Sequence, residues 1–280
     1  MAVPPASLLI TGGTGSIGEA LARDALSRGF ERVCIFSRDE YKQALMREQM
    51  TDERLRWFLG DVRERDRLRR ALEGVQCVIH AAALKRVEAG EFNPGEFVKT
   101  NVMGTLNLIE AAHDAGVERV VGISTDKALN PQNAYGATKL LMEKLLLAAN
   151  NARGLSGPRF AVTRFGNVAG SRGSVLDLWR MGYRTLTDEN CTRYWLTPSG
   201  ALRIVWQTLE TMPVEPLIPS LPAYRLGDLA RATGEAFVQT GLRPGESLHE
   251  QLRDGESSET APRMTIEELR RELAQINCAP

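Results

Sequence analysis

The chain has 280 residues, 43% hydrophobic and 25% charged, and its 35 basic residues balance 35 acidic ones. This composition fits one large or two small globular domains and excludes disorder and fibrous repeats; the balanced charge gives no general field for nucleic acid or an anionic membrane. No apolar run reaches the ~18 residues of a spanning helix, and residues 1–7 lack the basic flank and apolar core of a signal peptide, so the expected location is the cytoplasm.

Short β-rich apolar runs alternate with amphipathic segments through the first two thirds of the chain. That pattern predicts an α/β fold with a doubly wound parallel sheet, the Rossmann arrangement, followed by a smaller C-terminal substrate lobe. Strands are predicted at 7–11, 32–36, 55–59, 76–80, 119–124 and 159–165, and helices at 17–29, 40–50, 64–72, 94–116 and 133–151. Gly29, Gly74 and Gly116 read as helix stop signals. After Gly166 the rhythm breaks into Gly/Ser/Arg loops, a Pro-rich stretch at 213–222, a polar linker at 254–262 and a last helix near 266–276. The expected division is therefore 1–168 as the nucleotide-binding domain, completed by about 198–220, with 169–197 and 221–280 forming the substrate lobe. Cys34, Cys77, Cys191 and Cys278 stand far apart and read as reduced thiols, neither disulfides nor metal ligands, and no metal is expected.

Thr11-Gly-Gly-Thr-Gly-Ser-Ile-Gly18 joins the first strand to the first helix. Gly12, Gly15 and Gly18 let the backbone approach a pyrophosphate, whose charge meets the amides and positive dipole end of the helix; Thr14, Ser16 and Ile17 complete the turn. At the end of the second strand an acidic residue would take the ribose of NAD, but this chain offers Ser37-Arg38, twenty residues past Gly18. The arginine fork suits a 2′-phosphate, so the expected cofactor is NADP rather than NAD, although Asp39 follows at once. Asp61, with Val62, is placed to meet the adenine or to cap a helix.

Ser124-Thr-Asp-Lys127 follows the fifth strand, and Tyr135 and Lys139 lie four apart on the next helix. On one helix face the ammonium can lower the phenol pKa and hold the nicotinamide ribose. Only 6 of the 35 basic residues are lysines, none beyond Lys144, which singles out Lys127 and Lys139. His80 ends an apolar strand and reads as a packed residue, and His249 as structural.

With its glycine loop and YxxxK pair, the chain resembles the extended short-chain dehydrogenase/reductases. Phe36-Ser-Arg-Asp-Glu40, His80-Ala-Ala-Ala-Leu-Lys85, Lys99-Thr-Asn-Val102, Ser124-Thr-Asp-Lys-Ala128, Tyr135-Gly-Ala-Thr-Lys-Leu140, Arg164-Phe-Gly-Asn-Val168, Gly170-Ser-Arg-Gly-Ser174 and Arg243-Pro-Gly-Glu246 narrow the resemblance to the inverting UDP-N-acetylglucosamine 4,6-dehydratases. That resemblance implies a nucleotide-sugar substrate, NADP and a homo-oligomer, with neither nucleic acid nor membrane as partner. It adds Glu40, Lys42, Ala81, Ala82, Ala83, Lys85 and Val168 to the cofactor contacts. Substrate would meet Lys85, Ser124, Thr125 and Asn167, then Arg172, Gly173, Ser174 and Val175, and finally Arg193, Arg243 and Glu246.

Chemically, Tyr135 as phenolate would take the proton of the carbon-4 hydroxyl while its hydride passes to the cofactor, with Thr125 sharing the hydrogen bond. The resemblance assigns Lys127 as the base at carbon 5 and Asp126 as the acid at carbon 6, which asks for a pocket that depresses the lysine. The chain departs from the family pattern at Leu176-Asp-Leu-Trp179 and in a compressed segment at 213–223. Competing readings are a nucleotide-sugar epimerase, a 5,6-dehydratase, and an NADP-binding regulator without turnover.

Overall fold

The computed structural model describes residues 6–278; residues 1–5, on which much of the expected lack of a leader rests, and the side chain of Cys278 lie outside the described residues. The first half contains β1 (Ser7–Thr11), α1 (Ser16–Ser27), β2 (Arg32–Ser37), α2 (Glu40–Gln49), β3 (Leu55–Leu59), α3 (Arg65–Ala71) and β4 (Cys77–His80). Next come α4 (Val87–Phe92), α5 (Pro94–Phe97), a π-helical turn (Val98–Met103), α6 (Gly104–Ala115), β5 (Arg119–Thr125), a 3₁₀ turn (Asp126–Ala128), α7 (Ala134–Ala152) and β6 (Arg159–Phe165). The six strands form one parallel sheet in the order β3-β2-β1-β4-β5-β6. This is a Rossmann-like fold.

Central strands of such a sheet are covered on both faces, so they read as continuous apolar runs. In β1, Leu8 and Ile10 face one layer with Leu21 and Ala25 of α1. Leu9 faces the other, with Leu68, Leu108, Met142 and Leu146. The remaining elements are α8 (Val175–Arg180), β7 (Thr185–Leu186), β8 (Thr192–Tyr194), α9 (Pro198–Thr211), β9 (Ala223–Arg225), α10 (Leu226–Thr233), β10 (Val238–Gln239), β11 (Gln251–Arg253), β12 (Glu256–Ser257) and α11 (Ile266–Cys278). Of these, α9 returns to the sheet and packs Val205 and Leu209 into the α1 layer. Trp179, Cys191, Trp195, Leu229 and Leu269 form a separate apolar cluster.

Two local outcomes differ from the sequence pattern. The expected helix at 94–116 is interrupted by the π-helical turn, where Asn101 accepts from the Leu84 N–H at 2.9 Å and donates to the Leu84 carbonyl at 3.0 Å and to Thr138 at 3.1 Å. The widened turn thus secures the loop that follows β4. Within residues 1–168 the helix that was not expected is α4: only Gly90 of it is buried and Phe92 is exposed, so it carries no apolar stripe for the pattern to reveal, and α8, α9 and α10 of the last third were not expected either. Gly116 ends α6 in the left-handed conformation, as a stop signal should. Cys34, Cys77 and Cys191 are buried free thiols, and burial pushes Cys77 up to about 12. No described helix is long and apolar enough to cross a membrane, and no metal-holding group of three or more His, Cys, Asp or Glu occurs among the described residues.

All six strands point their carboxyl ends to one edge, and the order reverses between β1 and β4, which opens a crevice there. The 3₁₀ turn after β5 packs on the start of α7 so tightly that a Cβ on Gly136 would collide with the Lys127 carbonyl. Gly136→Ala is expected to lower stability by about 3 kcal/mol and to displace Lys127. Denaturant unfolding beside activity checks this; an unchanged midpoint would mean the turn can yield.

Candidate active site

A cleft of about 1160 Å³ runs from the glycine loop past the ends of β1, β4 and β5 to the second lobe. That exceeds the range typical of one small ligand and leaves room for two. Gly12 stands at φ +65°, and a Cβ there would meet the Ala82 Cα at 2.8 Å; one on Gly18 would meet the Gly13 Cα at 2.7 Å. The tight loop delivers Gly15 as N-cap of α1, where no side chain caps the helix. Its first-turn amides remain available to an anion at the cleft, which fits a pyrophosphate. Thr14, Ser16, Ile17, Ala81, Ala82 and Ala83 share this wall.

At the end of β2, Arg38 lines the cleft with 55% of its side chain exposed and one long contact, 3.5 Å, to Asp61. Asp39 is differently engaged: it caps α2 by accepting from the Lys42 N–H at 3.0 Å and pairs with the Lys42 ammonium at 2.7 Å. These bonds hold its carboxyl below the usual range. Ser37, Lys42, Asp61, Val62 and Val168 also lie on the wall, whereas Glu40 begins α2 away from it.

Thr125, Lys127, Tyr135 and Lys139 are brought together with Ser124 on the wall beyond β5. Asp126 is not on it. Its carboxylate is fully buried behind Thr125, with Oδ1 accepting from the Thr125 hydroxyl at 2.8 Å and the Lys127 N–H at 2.9 Å. Its Oδ2, near Gly166, has no hydrogen-bond partner. Ser124 Oγ is likewise buried without one.

Two expectations about charge are corrected. Lys139 does not lie against the phenol: its Nζ donates to the Ile123 carbonyl at 2.6 Å and the Met142 sulfur at 2.8 Å, and burial, opposed by Glu143, pushes it down to about 7. Burial pushes Tyr135 up to about 12 against a hydrogen bond with Thr125 and the charge of Lys127. Lys127 is not depressed. Burial alone would lower it, but Asp126 at 3.2 Å and Glu250 at 2.9 Å outweigh that effect and raise it above an ordinary lysine. Glu250 is a buried acid seven residues past Arg243, a position whose sequence carried no signal beyond its charge.

The lobe residues divide by how their donors are used. Arg193 lines the cleft, yet its guanidinium donates to the carbonyls of Thr192, Leu248 and Ser247 at 2.8, 3.0 and 2.9 Å and approaches Glu250. Arg172 lies on the glycine loop, its N–H donating to Ser16 Oγ at 2.9 Å and its side chain reaching Glu19 at 3.3 Å. Arg243 is freer, 3.9 Å from Glu88, and its N–H donates to Glu246 at 3.0 Å. Asn167, Gly173, Ser174 and Val175 complete this side with Lys85, whose ammonium burial lowers, helped by Arg86. Trp179, Thr187 and Tyr224 also line the cleft; distant in sequence, they gave no motif. His80 is packed, bonded to Thr11 at 2.8 Å and Thr105 at 3.2 Å, and burial pushes it down to about 3.

Residues 8–269 match the family model described as polysaccharide biosynthesis protein. The chain belongs to this family. A UDP-N-acetylglucosamine 4,6-dehydratase (inverting) of Campylobacter jejuni is 43% identical over 254 residues, 87% of this chain and 76% of that protein. A UDP-glucose 4-epimerase of Rickettsia rickettsii is 38% identical over 262 residues, 88% and 77% of the two chains. Among solved structures, Pen from Bacillus thuringiensis superposes with TM-score 0.94 at 33% identity, covering 98% of both chains. A dTDP-glucose 4,6-dehydratase of Streptomyces venezuelae with NAD and TYD bound gives 0.81 at 25%, covering 97% of both.

Lys139 generates a prediction about pH. Its folded pKa of about 7 lies below the ordinary 10.5, so between those values the unfolded chain binds a proton that the folded chain does not, and this group makes the fold more stable as pH rises. Lys139→Met should flatten that dependence and raise Tm by a few degrees near neutral pH. Thermal melts across the window check the sign; a variant with the native pH dependence would reject it.

Proposed function

We propose that this chain is a nucleotide-sugar 4,6-dehydratase acting on UDP-N-acetylglucosamine or a close analogue, with NADP held along the glycine loop and Arg38. One observation carries the reading: Lys127 and Glu250 line the cleft beside Thr125 and Tyr135, with Asp126 buried behind them and paired to Lys127, so an oxidation site adjoins a second acid/base set. Residues 1–168 with about 198–220 would hold the cofactor, and 169–197 with 221–280 the sugar nucleotide. The exposed fork of Arg38, held only by a long contact to Asp61, beside an already engaged Asp39 supports NADP over NAD. Bound there, NADP would accept hydride from sugar carbon 4 and later return it to carbon 6.

Tyr135, as phenolate, takes the proton from the carbon-4 hydroxyl, with Thr125 bonded to the same oxygen. Depressing the phenol falls to bound substrate and cofactor together with Lys127, because Lys139 is directed to Ile123. Once carbon 4 is a ketone, the hydrogen on carbon 5 is acidic. Neutral Lys127 removes it, the C5–H electron pair forms the C5–C6 double bond, and the carbon-6 hydroxyl leaves as water on receiving a proton. Asp126 supplies that proton in its acid form through the Thr125 hydroxyl bonded to it at 2.8 Å, having taken up through the same hydroxyl the carbon-4 proton held by Tyr135. Carbon 5 would take a proton from solvent as the bound cofactor returned its hydride to carbon 6, so the net change is loss of one water.

The 38% identity with a protein named UDP-glucose 4-epimerase favours one second reading, epimerisation at carbon 4; such a reaction has no use for an acid/base pair at carbons 5 and 6. The reading extends to a cytoplasmic location and to a homo-oligomer, the latter supported by exposed Phe92, Val98, Met103 and Leu141 on α4, α7 and the turn before α6; mass photometry measures the oligomer.

Incubation with a panel of nucleotide sugars, followed by mass spectrometry and NMR, should give a 4-keto-6-deoxy product lacking one water. A product of unchanged mass would establish epimerisation instead. Tyr135→Phe should lower turnover about 10²- to 10⁴-fold with NADP binding retained; near-native turnover would remove Tyr135 as the base. Arg38→Ala should weaken NADP roughly 10- to 100-fold and NAD little, as titration calorimetry would record, and equal losses would reject the 2′-phosphate contact.

A further inference from the structure

Behind the cleft lies a second cavity of about 350 Å³, lined by Asn130, Asn133, His249, Gln251, Ser257 and Glu259. Lys127 and Glu250 belong to the walls of both cavities. Their ion pair, 2.9 Å long, therefore stands between them, with side chains only 15% and 6% exposed. Glu250 is held firmly: its N–H donates to Ser258 Oγ at 2.9 Å, and the Ser258 N–H donates back to its carbonyl at 2.8 Å.

Lys127 must lose a firmly held proton before it can act as a base. A cation flanked by two buried carboxylates is a poor base until its proton has somewhere to go. Asp126 is engaged by Thr125 and the Lys127 N–H and is enclosed, whereas Glu250 opens on a polar cavity large enough for water. We propose that Glu250 is the proton acceptor of Lys127, taking the ammonium proton inside the site, leaving the neutral amine for carbon 5, and exchanging the proton with water in the second cavity. The balance is simple: one N–H bond breaks, its electron pair stays on nitrogen, and one carboxyl O–H forms. When Lys127 later gains the carbon-5 proton, the ion pair is restored by release from Glu250 to the cavity.

Burial raises the proton affinity of Glu250, with Asp126 acting in the same direction against Lys127 and Arg193. The other titratable groups bearing on the pair are Tyr135 and Tyr224 beside Lys127, and Tyr194 near Glu250. His249 and Glu259 face the second cavity.

This inference rests on the dehydratase reading, and its test separates the two. With a substrate that the native protein dehydrates, single-turnover elimination should be nearly independent of pH around neutrality, because the proton moves within the site. E250Q must release the Lys127 proton directly to solvent, so elimination should fall about 100-fold at neutral pH and climb roughly tenfold per pH unit. Loss of the carboxylate also weakens the hold on the ammonium; a variant as fast as native, or one uniformly slower with no new pH slope, overturns the proposal. If E250Q does not fold, as judged by melting and NADP binding, Glu250→Ala with added acetate replaces it: restored elimination supports the acceptor role and absence of rescue overturns it. If the native protein dehydrates no nucleotide sugar, the functional reading fails by itself. Glu250 is then judged on the resting protein by acetic anhydride labelling mapped by mass spectrometry: relative to exposed Lys42 and Lys99, Lys127 labelling should vary little with pH in native protein and climb steeply with pH in E250Q, and the same pH dependence in both overturns the proposal.

Discussion

Lys127 is a cation almost removed from water, and the arrangement of the site follows from keeping it there. Desolvating an ammonium is unfavourable unless anions and hydrogen bonds surround it. Asp126 comes from the same turn and Glu250 from a loop more than a hundred residues later. The charge thus ties the end of β5 to the C-terminal part of the chain, and Arg193 binds that loop through two backbone carbonyls, of Ser247 and Leu248. Breaking either contact would leave a buried charge uncompensated, which is far costlier than losing a surface pair.

The parallel sheet supplies the frame for this constraint. Its strands bring the glycine turn, Arg38, Ala81–Ala83 and Thr125 to one edge although they are spread over more than a hundred residues. Backbone proximity is achieved through missing side chains at Gly12 and Gly18 near the cofactor and at Gly136 beneath Lys127. Oxidation and elimination are therefore adjacent because the turn after β5 and the first turn of α7 are packed without space between them. The same closeness lets the charge of Lys127 act on the Tyr135 phenol, a task that helix spacing had suggested for Lys139.

The amino-acid sequence by itself determined the sheet, because fully buried strands must be apolar runs and their covering helices must repeat every three to four residues. It determined the dinucleotide turn for a similar reason: close backbone approach requires glycine at fixed spacing. Element boundaries were legible where caps and stop glycines mark them, as at Gly116, and illegible at α4, which buries too little to leave a pattern. Motif strings marked Thr125, Asp126, Lys127, Tyr135 and Lys139 as chemical residues. Only the tertiary structure decided what each of them faces: Asp126 lies behind the wall, Lys139 is bonded to Ile123, and Lys127 is paired with Glu250. Periodicity and spacing report which face of an element a residue occupies. Protonation depends instead on burial and on charges brought close from distant segments, and those distances exist only once the chain has folded.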